Sequence, residues 1–293
     1  MKLMNKILSK SNSYNYYKYN FKRLEKENKE LKEKLFKKYN HDISEMNKNI
    51  NSIKSNLLKM NHSEELINNE LKYAFVFNDT IKSSKWLKEK DFSLVNSAAN
   101  YSLMYSLYRI LNDAQPKNIL ELGLGQTTKL TSQYAKYFDD AKLTVLESDE
   151  DWIENFSKNL EISDNTRIVN LDVETFEYNN TINTRFKDID KIVESEKYDL
   201  IIIDAPRGFM KKDGKNKLLD YSRANIWQLI PSNLAADFII IIDDYERKGE
   251  RNTMDHAKEL LKENNKETFS YTAKGLKTQH AIFTEKYRFI SWI

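Results

Sequence analysis

The sequence contains no cysteine. That absence excludes disulfides, thiolate zinc sites and cysteine nucleophiles, and it suits a reducing compartment. Glycine and proline are scarce, with 6 and 3 in 293 residues. Neither occurs in the first seventy or so residues, so nothing there breaks a long helix. Long apolar runs are missing too. The longest, Phe238 to Ile242, is far too short to span a bilayer. The opening Met-Lys-Leu-Met-Asn-Lys has no signal-peptide core, and a cytoplasmic protein without a transmembrane segment is expected. Nor is there an excess of one charge. Charged residues make up 31% and the net charge is +3, which argues against a dedicated nucleic-acid binder.

What is present falls into three segments. Residues 1–62 are rich in Lys, Glu and Asn. Phe36, Ile43, Ile50 and Leu57 repeat at one heptad position, and Tyr39, Met46, Ile53 and Met60 at another. The seam reads as a coiled-coil arm that makes a homo-oligomer, a dimer, through the N-terminal helices. A helical hairpin packed on its own domain reads equally well. Residues 63–112 form a helical cap, with a broad apolar face of Ala98, Tyr101, Leu103, Met104, Leu107, Tyr108, Ile110 and Leu111 that ends at Gln115-Pro116. Residues 113–293 alternate strands with helices. Candidate strands are 118–122, 142–147, 166–170, 198–204, 237–243, 268–271 and 280–285, with helical patterns such as 127–137 and 151–160 between them. Leu200-Ile-Ile-Ile203 and Phe238-Ile-Ile-Ile-Ile242 have the continuous apolar character of strands buried on both faces. The expectation is a doubly wound α/β domain with its ligand at the carboxyl ends of the strands.

The densest signal is Asn118-Ile-Leu-Glu-Leu-Gly-Leu-Gly-Gln-Thr-Thr128. It reads as strand, tight turn and helix start, an arrangement that cradles a nucleotide-like cofactor. Two of the few glycines sit there, where positive φ or close backbone approach is needed. Each central strand also ends near a carboxylate: Glu121, Glu147, Asp172, Asp204, then Asp243-Asp244. One or two could be helix caps, but five in order suggest one shared crevice. Glu147 suits a pair of ribose hydroxyls. The third glycine of the dinucleotide fingerprint is missing, since Thr128 stands in its place.

A Glu two residues before Gly-x-Gly resembles the first motif of class I S-adenosylmethionine-dependent methyltransferases. The resemblance covers roughly residues 95–293. It implies a seven-stranded Rossmann-like sheet with an antiparallel hairpin at its end, which the runs around 269–274 and 280–289 fit. It further implies that Glu121, Gly123 and Gly125 line the methionine part of S-adenosyl-L-methionine. Gln126, Thr127 and Thr128 would donate hydrogen bonds at the helix start. Glu147 with Ser148 would hold the ribose, Asp172 and Val173 the adenine, and Asp204 the methyl-transfer face. Trp152 could pack nearby, although a helical Trp is more often core.

Catechol-type O-methyltransferases hold Mg²⁺ with an Asp after the fourth strand and an Asp-Asn pair after the fifth. Here Asp204, Asp243 and Asp244 take those positions, so Mg²⁺ or another divalent cation is a candidate cofactor and an Asp base the alternative. The pair could also simply cap the next helix. Asp204-Ala-Pro-Arg-Gly208, Tyr221-Ser-Arg223 and Asp243-Asp-Tyr-Glu-Arg247 resemble motifs of polysaccharide O-methyltransferases such as the xylan glucuronic-acid family. That resemblance implies an O-methyltransferase acting on a sugar, as a sugar nucleotide or a capsule or surface polysaccharide. Arg207, Arg223, Tyr245 and Arg247 are then candidate acceptor contacts, the guanidinium groups meeting a carboxylate or phosphate. Taken singly, each arginine is an ordinary salt-bridge partner. The basic run Met210 to Lys217 reads either as a solvated loop or as a lid over an anionic acceptor. His280 is a weak candidate base. Two other readings stand beside this one: an NAD-dependent sugar oxidoreductase or epimerase, and a non-enzymatic nucleotide-binding coiled-coil scaffold.

Overall fold

The computed structural model of the chain describes residues 1–94, 99–158, 163–212 and 214–293. Ala98 of the apolar face, Leu160 at the end of a helical pattern and Asp213 of the basic run lie outside them. The chain divides into two units, Met1–Glu64 and Glu65–Ile293. Helix α1 (Lys2–Thr80) supplies all of the first unit and the start of the second. It has no turn within it, so the helical-hairpin alternative does not hold. The seam residues Phe36, Tyr39, Met46, Ile50, Ile53, Leu57 and Met60 are all exposed on the single chain. No helix among the described residues is long and apolar enough to cross a membrane.

The helical pattern expected from residue 63 to 111 is not one helix. α1 ends at Thr80, a short 3-10 turn (Ile81–Ser83) follows it, and α2 (Tyr101–Ala114) begins afresh. The Asn100 side chain caps α2 by accepting from the Leu103 N–H. Gln115 ends it in the left-handed region, φ 49°, with Pro116 next.

The second unit then runs β1 (Asn118–Leu122), α3 (Gln126–Tyr137), β2 (Lys142–Glu147), α4 (Glu150–Ser157), β3 (Thr166–Asn170), β4 (Val173–Tyr178), β5 (Thr181–Phe186), α5 (Ile189–Val193) and β6 (Tyr198–Ile203). It continues with β7 (Phe209–Lys212), β8 (Lys215–Leu218), α6 (Ile226–Leu229), β9 (Leu234–Ile242), α7 (Lys248–Glu263), β10 (Phe269–Lys274) and β11 (Thr278–Phe283). Seven strands form one sheet in the order β10-β11-β9-β6-β1-β2-β3. The five from β9 to β3 are mutually parallel, and β11 lies antiparallel between β9 and β10. This is a doubly wound, mostly parallel α/β sheet with an antiparallel hairpin at one end, as the sequence led one to expect. Two hairpins stand apart from it, β4–β5 and β7–β8. The second replaces the loop expected at 210–217.

Alternation along the central strands explains their unbroken apolar sequence. Leu200, Ile202, Ile239 and Ile241 face the cluster that includes α2 and α3. Ile201, Ile203, Ile240 and Ile242 face the cluster that includes α6 and α7. Both faces are covered, so neither can be polar. Each such side chain contributes about 1.5–3 kcal/mol on burial.

One polar anchor holds the start of this unit in place. Glu70, near the end of α1, is buried. Its carboxylate accepts from the Asn100 side chain at 2.7 Å, the Tyr101 N–H at 2.5 Å and the Leu276 N–H at 3.0 Å. It lies so close to Gly275 that a Cβ there would sit 2.0 Å from Glu70 Oε2. One carboxylate thus ties α1 to the start of α2 and to the β10–β11 turn. Replacing it leaves buried donors unpaired. Glu70→Ala should therefore lower the unfolding free energy by about 2–4 kcal/mol. Urea denaturation checks this, and a loss within experimental error would show that the anchor is dispensable.

Candidate active site

The carboxyl edge of the sheet opens on a crevice of about 1090 Å³. Its walls include Gly123 to Thr127, Glu147 to Trp152, Val173, Thr184 and Asp204 to Arg207, with Ser93 and Phe209 at the margins. The glycine turn forms its floor. Gly123 adopts φ +110°, and a Cβ there would meet the Ala205 Cβ at 3.0 Å. Only glycine fits both constraints. Gly125 is different: its backbone is extended, and a Cβ would meet nothing within 4 Å. It is the point where a ligand can approach the main chain.

Glu121 makes the turn rather than lining it. It points to the face of β1 on which α3 packs and is fully buried. The hydroxyls of Thr127 and Thr128 donate to Oε1 at 2.6 and 2.9 Å, and that of Thr131 to Oε2 at 2.7 Å. Thr128 Oγ1 also accepts from the Gly125 N–H at 3.0 Å. Direct cofactor contact by Glu121 and Thr128, expected from the sequence, is therefore corrected: both are sealed beneath the turn. Gln126 reaches the crevice, but its Oε1 accepts from the Ser93 N–H at 2.9 Å, pinning the segment before α2.

Glu147 ends β2 at the crevice. Its Oε2 accepts from the Leu124 N–H at 3.0 Å, and its Oε1 accepts from the N–H groups of Ser148 and Asp149. Three backbone N–H groups thus hold one carboxylate facing the cavity. Trp152 belongs to the wall and not to the core. Asp149 caps its helix, and its indole N–H donates to the Leu124 carbonyl at 2.8 Å. Val173, the first residue of β4, lines the crevice, whereas Asp172 is exposed outside it.

Asp204 follows β6 and faces the crevice, and behind it lies a charged cluster. Oxygens of Asp204, Asp243 and Asp244 come within 4.8 Å of one another. Arg223, only 3% exposed, reaches Asp204 at 3.0 Å and Asp244 at 2.6 Å, and donates to the Asp243 carbonyl at 2.9 Å. Lys277 reaches Asp243 at 3.1 Å and Asp244 at 3.6 Å. Arg247 reaches Asp244 at 2.9 Å. Gln279 donates to the other Asp243 oxygen at 2.7 Å.

Removal from water pushes Asp204 up to about 7. Arg223 pulls the other way and Asp243 adds to the rise. Burial works against ionising Asp244, yet Arg223, Lys277 and Arg247 together hold it below the usual carboxylate range. The acids in turn hold Lys277 charged despite its burial. Removing one partner from such a cluster typically costs about 3–5 kcal/mol.

Several expected contacts are thereby reassigned. Arg223 is a buried counter-ion, not an acceptor contact, and Arg247 is committed to Asp244 and Glu250. Tyr245 stacks on His280 with ring centres 4.3 Å apart. His280 is itself buried, bonded to Thr272 and pushed down to about 3 by burial, then by Lys258. Burial favours its neutral form, and it is not part of the crevice wall. Arg207 remains: it is exposed on the crevice wall beside Phe209. The sequence reading missed Lys277, Glu70 and Gln279. For Lys277 and Gln279 the one sequence signal is topological, because a hairpin pairing beside β9 must place its turn at that strand's carboxyl end; Glu70, on α1, has none.

No protein-family model and no curated protein matches the sequence. Solved structures with a similar course of the chain include a Klebsiella pneumoniae protein assigned to the O-methyltransferases. It is 16% identical with a TM-score of 0.44, over 76% of this chain and 99% of that one. An O-methyltransferase from Bacillus cereus, solved with S-adenosylhomocysteine, is 16% identical with a TM-score of 0.41, over 74% and 91%. A methyltransferase from Podospora anserina, also bound to S-adenosylhomocysteine, is 15% identical with a TM-score of 0.38, over 75% and 91%.

The burial of Glu121 has a measurable consequence. Loss of water outweighs its three hydroxyl donors and pushes its pKa from 4.5 to about 7. Between those values the folded state binds more protons than the unfolded one, so stability falls as pH rises through that window. In urea denaturation the protein should lose about 3 kcal/mol between pH 4.5 and pH 7.5 relative to Glu121→Gln. Parallel curves for the two proteins would show that Glu121 is ionised throughout.

Proposed function

We propose that the protein is an S-adenosyl-L-methionine-dependent O-methyltransferase whose acceptor is a small anionic molecule, a sugar or sugar nucleotide. One observation carries this reading. The open turn at Gly125, the fixed carboxylate of Glu147 and the carboxylate of Asp204 all face the same crevice. The volume exceeds what one nucleoside needs and leaves room for a second reactant.

The residues fit the cofactor. Backbone at Gly125 and the start of α3 would receive its methionine part. Glu147 would accept from the ribose hydroxyls, and Trp152 and Val173 would flank the base. When bound, S-adenosyl-L-methionine supplies a methyl group activated by a sulfonium charge. Asp204 would take the proton that the acceptor hydroxyl gives up on transfer. A carboxyl pushed up to about 7 is matched to that task near neutral pH. Arg207 would meet the acceptor's negative charge. Lys211, Lys215 and Lys217, exposed on the β7–β8 hairpin, would draw it in. An NAD-dependent reaction is less well served, because Thr128 replaces the third glycine and, among the described residues, no Tyr-x-x-x-Lys pair lines the crevice.

Isothermal calorimetry with S-adenosylhomocysteine tests the cofactor. Binding is expected, weakened about ten- to a hundredfold in Glu147→Gln. Binding of NAD with no response to S-adenosylhomocysteine would sink the proposal.

We also infer that residues 36–60 pair in a parallel two-stranded coiled coil with a second copy of the chain, since the seam is apolar, exposed and sustained over three heptads. Light scattering should give a dimer that becomes a monomer in the double variant Ile50→Asp, Ile53→Asp. A monomeric parent protein would refute the pairing.

A further inference from the structure

The residues that suggest a divalent ion do not fit one. Three carboxylates converge, but three cations of the chain already answer them. Both oxygens of Asp243 are engaged, one by Gln279 and one by Lys277. Asp244 Oδ2 is shared by Arg223 and Arg247. Asp244 Oδ1 has no hydrogen bond, and it faces the Lys277 ammonium at 3.6 Å. Asp204, the acid nearest the crevice, has Arg223 at 3.0 Å. A dication bound among these oxygens would lie within a few ångströms of a buried guanidinium and a largely buried ammonium, where repulsion is poorly screened.

These cations are held there by the fold. Arg223 is anchored by the Asp243 carbonyl and is only 3% exposed. Lys277 sits in the β10–β11 turn, whose preceding residues are clamped by Glu70: Leu276 donates to it, and Gly275 leaves no room for a side chain. On the other side Gln279 ties Asp243 to Asn100 and Ser102. The turn is built to deliver an ammonium to the end of β9.

We propose that Lys277 stands in the place of a divalent metal ion, so that the site is metal-free and its acidic triad is neutralised by the chain's own Lys277, Arg223 and Arg247. The claim rests on the methyl-transfer reading only for its bearing on catalysis. There it leaves Asp204 as the one carboxylate of the triad that faces the crevice, with Lys277 acting through Asp243 and Asp244 as a positioning residue.

The test reads metal occupancy directly. Mn²⁺ is titrated into the full chain and the free ion followed by electron paramagnetic resonance. The parent protein should show no saturable site, while Lys277→Ala should gain one, bound about a hundredfold more tightly or better. Adding Asp243→Asn to Lys277→Ala should abolish that gain. Saturable binding by the parent protein that is lost in Asp243→Asn overturns the proposal, and so does failure of Lys277→Ala to gain a site. Should circular dichroism show Lys277→Ala unfolded, Lys277→Met keeps the stem and removes the charge. Calorimetry with S-adenosylhomocysteine on the same samples separates the two ideas. Cofactor binding alongside a native Mn²⁺ site would sink this inference alone, and the reverse pattern would sink the enzyme reading alone.

Discussion

The carboxyl edge depends on a buried guanidinium. β6 and β9 are neighbours that end in Asp204 and in Asp243-Asp244, and acids that close in a dry setting repel each other strongly. Arg223 reaches two of the three carboxylates and the backbone of the third. Asp244 and Arg223 themselves adopt positive φ, 59° and 60°, a conformation that costs a non-glycine residue energy. The chain tolerates it at both ends of one ion pair, so the pair over-determines the local backbone. Lys277 completes the arrangement from the opposite side. What results is rigid, close to neutral and open to the crevice only through Asp204.

The glycine turn is governed by a similar economy. A carboxylate inside β1 would ordinarily be costly, and Glu121 is tolerated because three hydroxyls from the first turns of α3 converge on it. Thr128 explains the missing third glycine. Its hydroxyl bridges Glu121 and the Gly125 N–H, a polar clasp where a dinucleotide-binding turn has bare backbone. The same residue that weakens the NAD reading therefore has a positive role. It locks the turn with Gly125 exposed.

The strand-helix alternation from residue 118 onward was readable because its physics is local. β6 and β9 are buried on both faces, so their sequences are continuous and apolar, and β1, β2 and β3 are bounded by turn residues. The carboxylates at the strand ends were readable as a set but not in their individual roles. Position relative to a strand tells which edge a side chain reaches. Whether it faces the crevice, as Glu147 and Asp204 do, or lies beneath it, as Glu121 does, depends on neighbours distant in sequence. The hairpins β4–β5 and β7–β8 were missed for a related reason. The first, Val173–Tyr178 and Thr181–Phe186, alternates polar and apolar residues around Asn179-Asn180, both at positive φ, and was overshadowed by the adjacent Asp172.

Lys277 was the least legible. A lysine two residues after a glycine in a tight turn is usually solvated, and nothing in its own neighbourhood says otherwise. Its burial to 16% exposure is imposed from two directions, by β11 pairing next to β9 and by Glu70 gripping the turn from the end of α1. Glu70 precedes the first strand by nearly fifty residues, in a stretch whose sequence advertises only helix. The electrostatics behind the crevice is therefore set by a contact between segments that look unrelated in sequence. An acid near the end of a featureless helix fixes the turn, the turn fixes the ammonium, and the ammonium engages Asp243 and Asp244, so that Asp204 is the aspartate left to face the crevice.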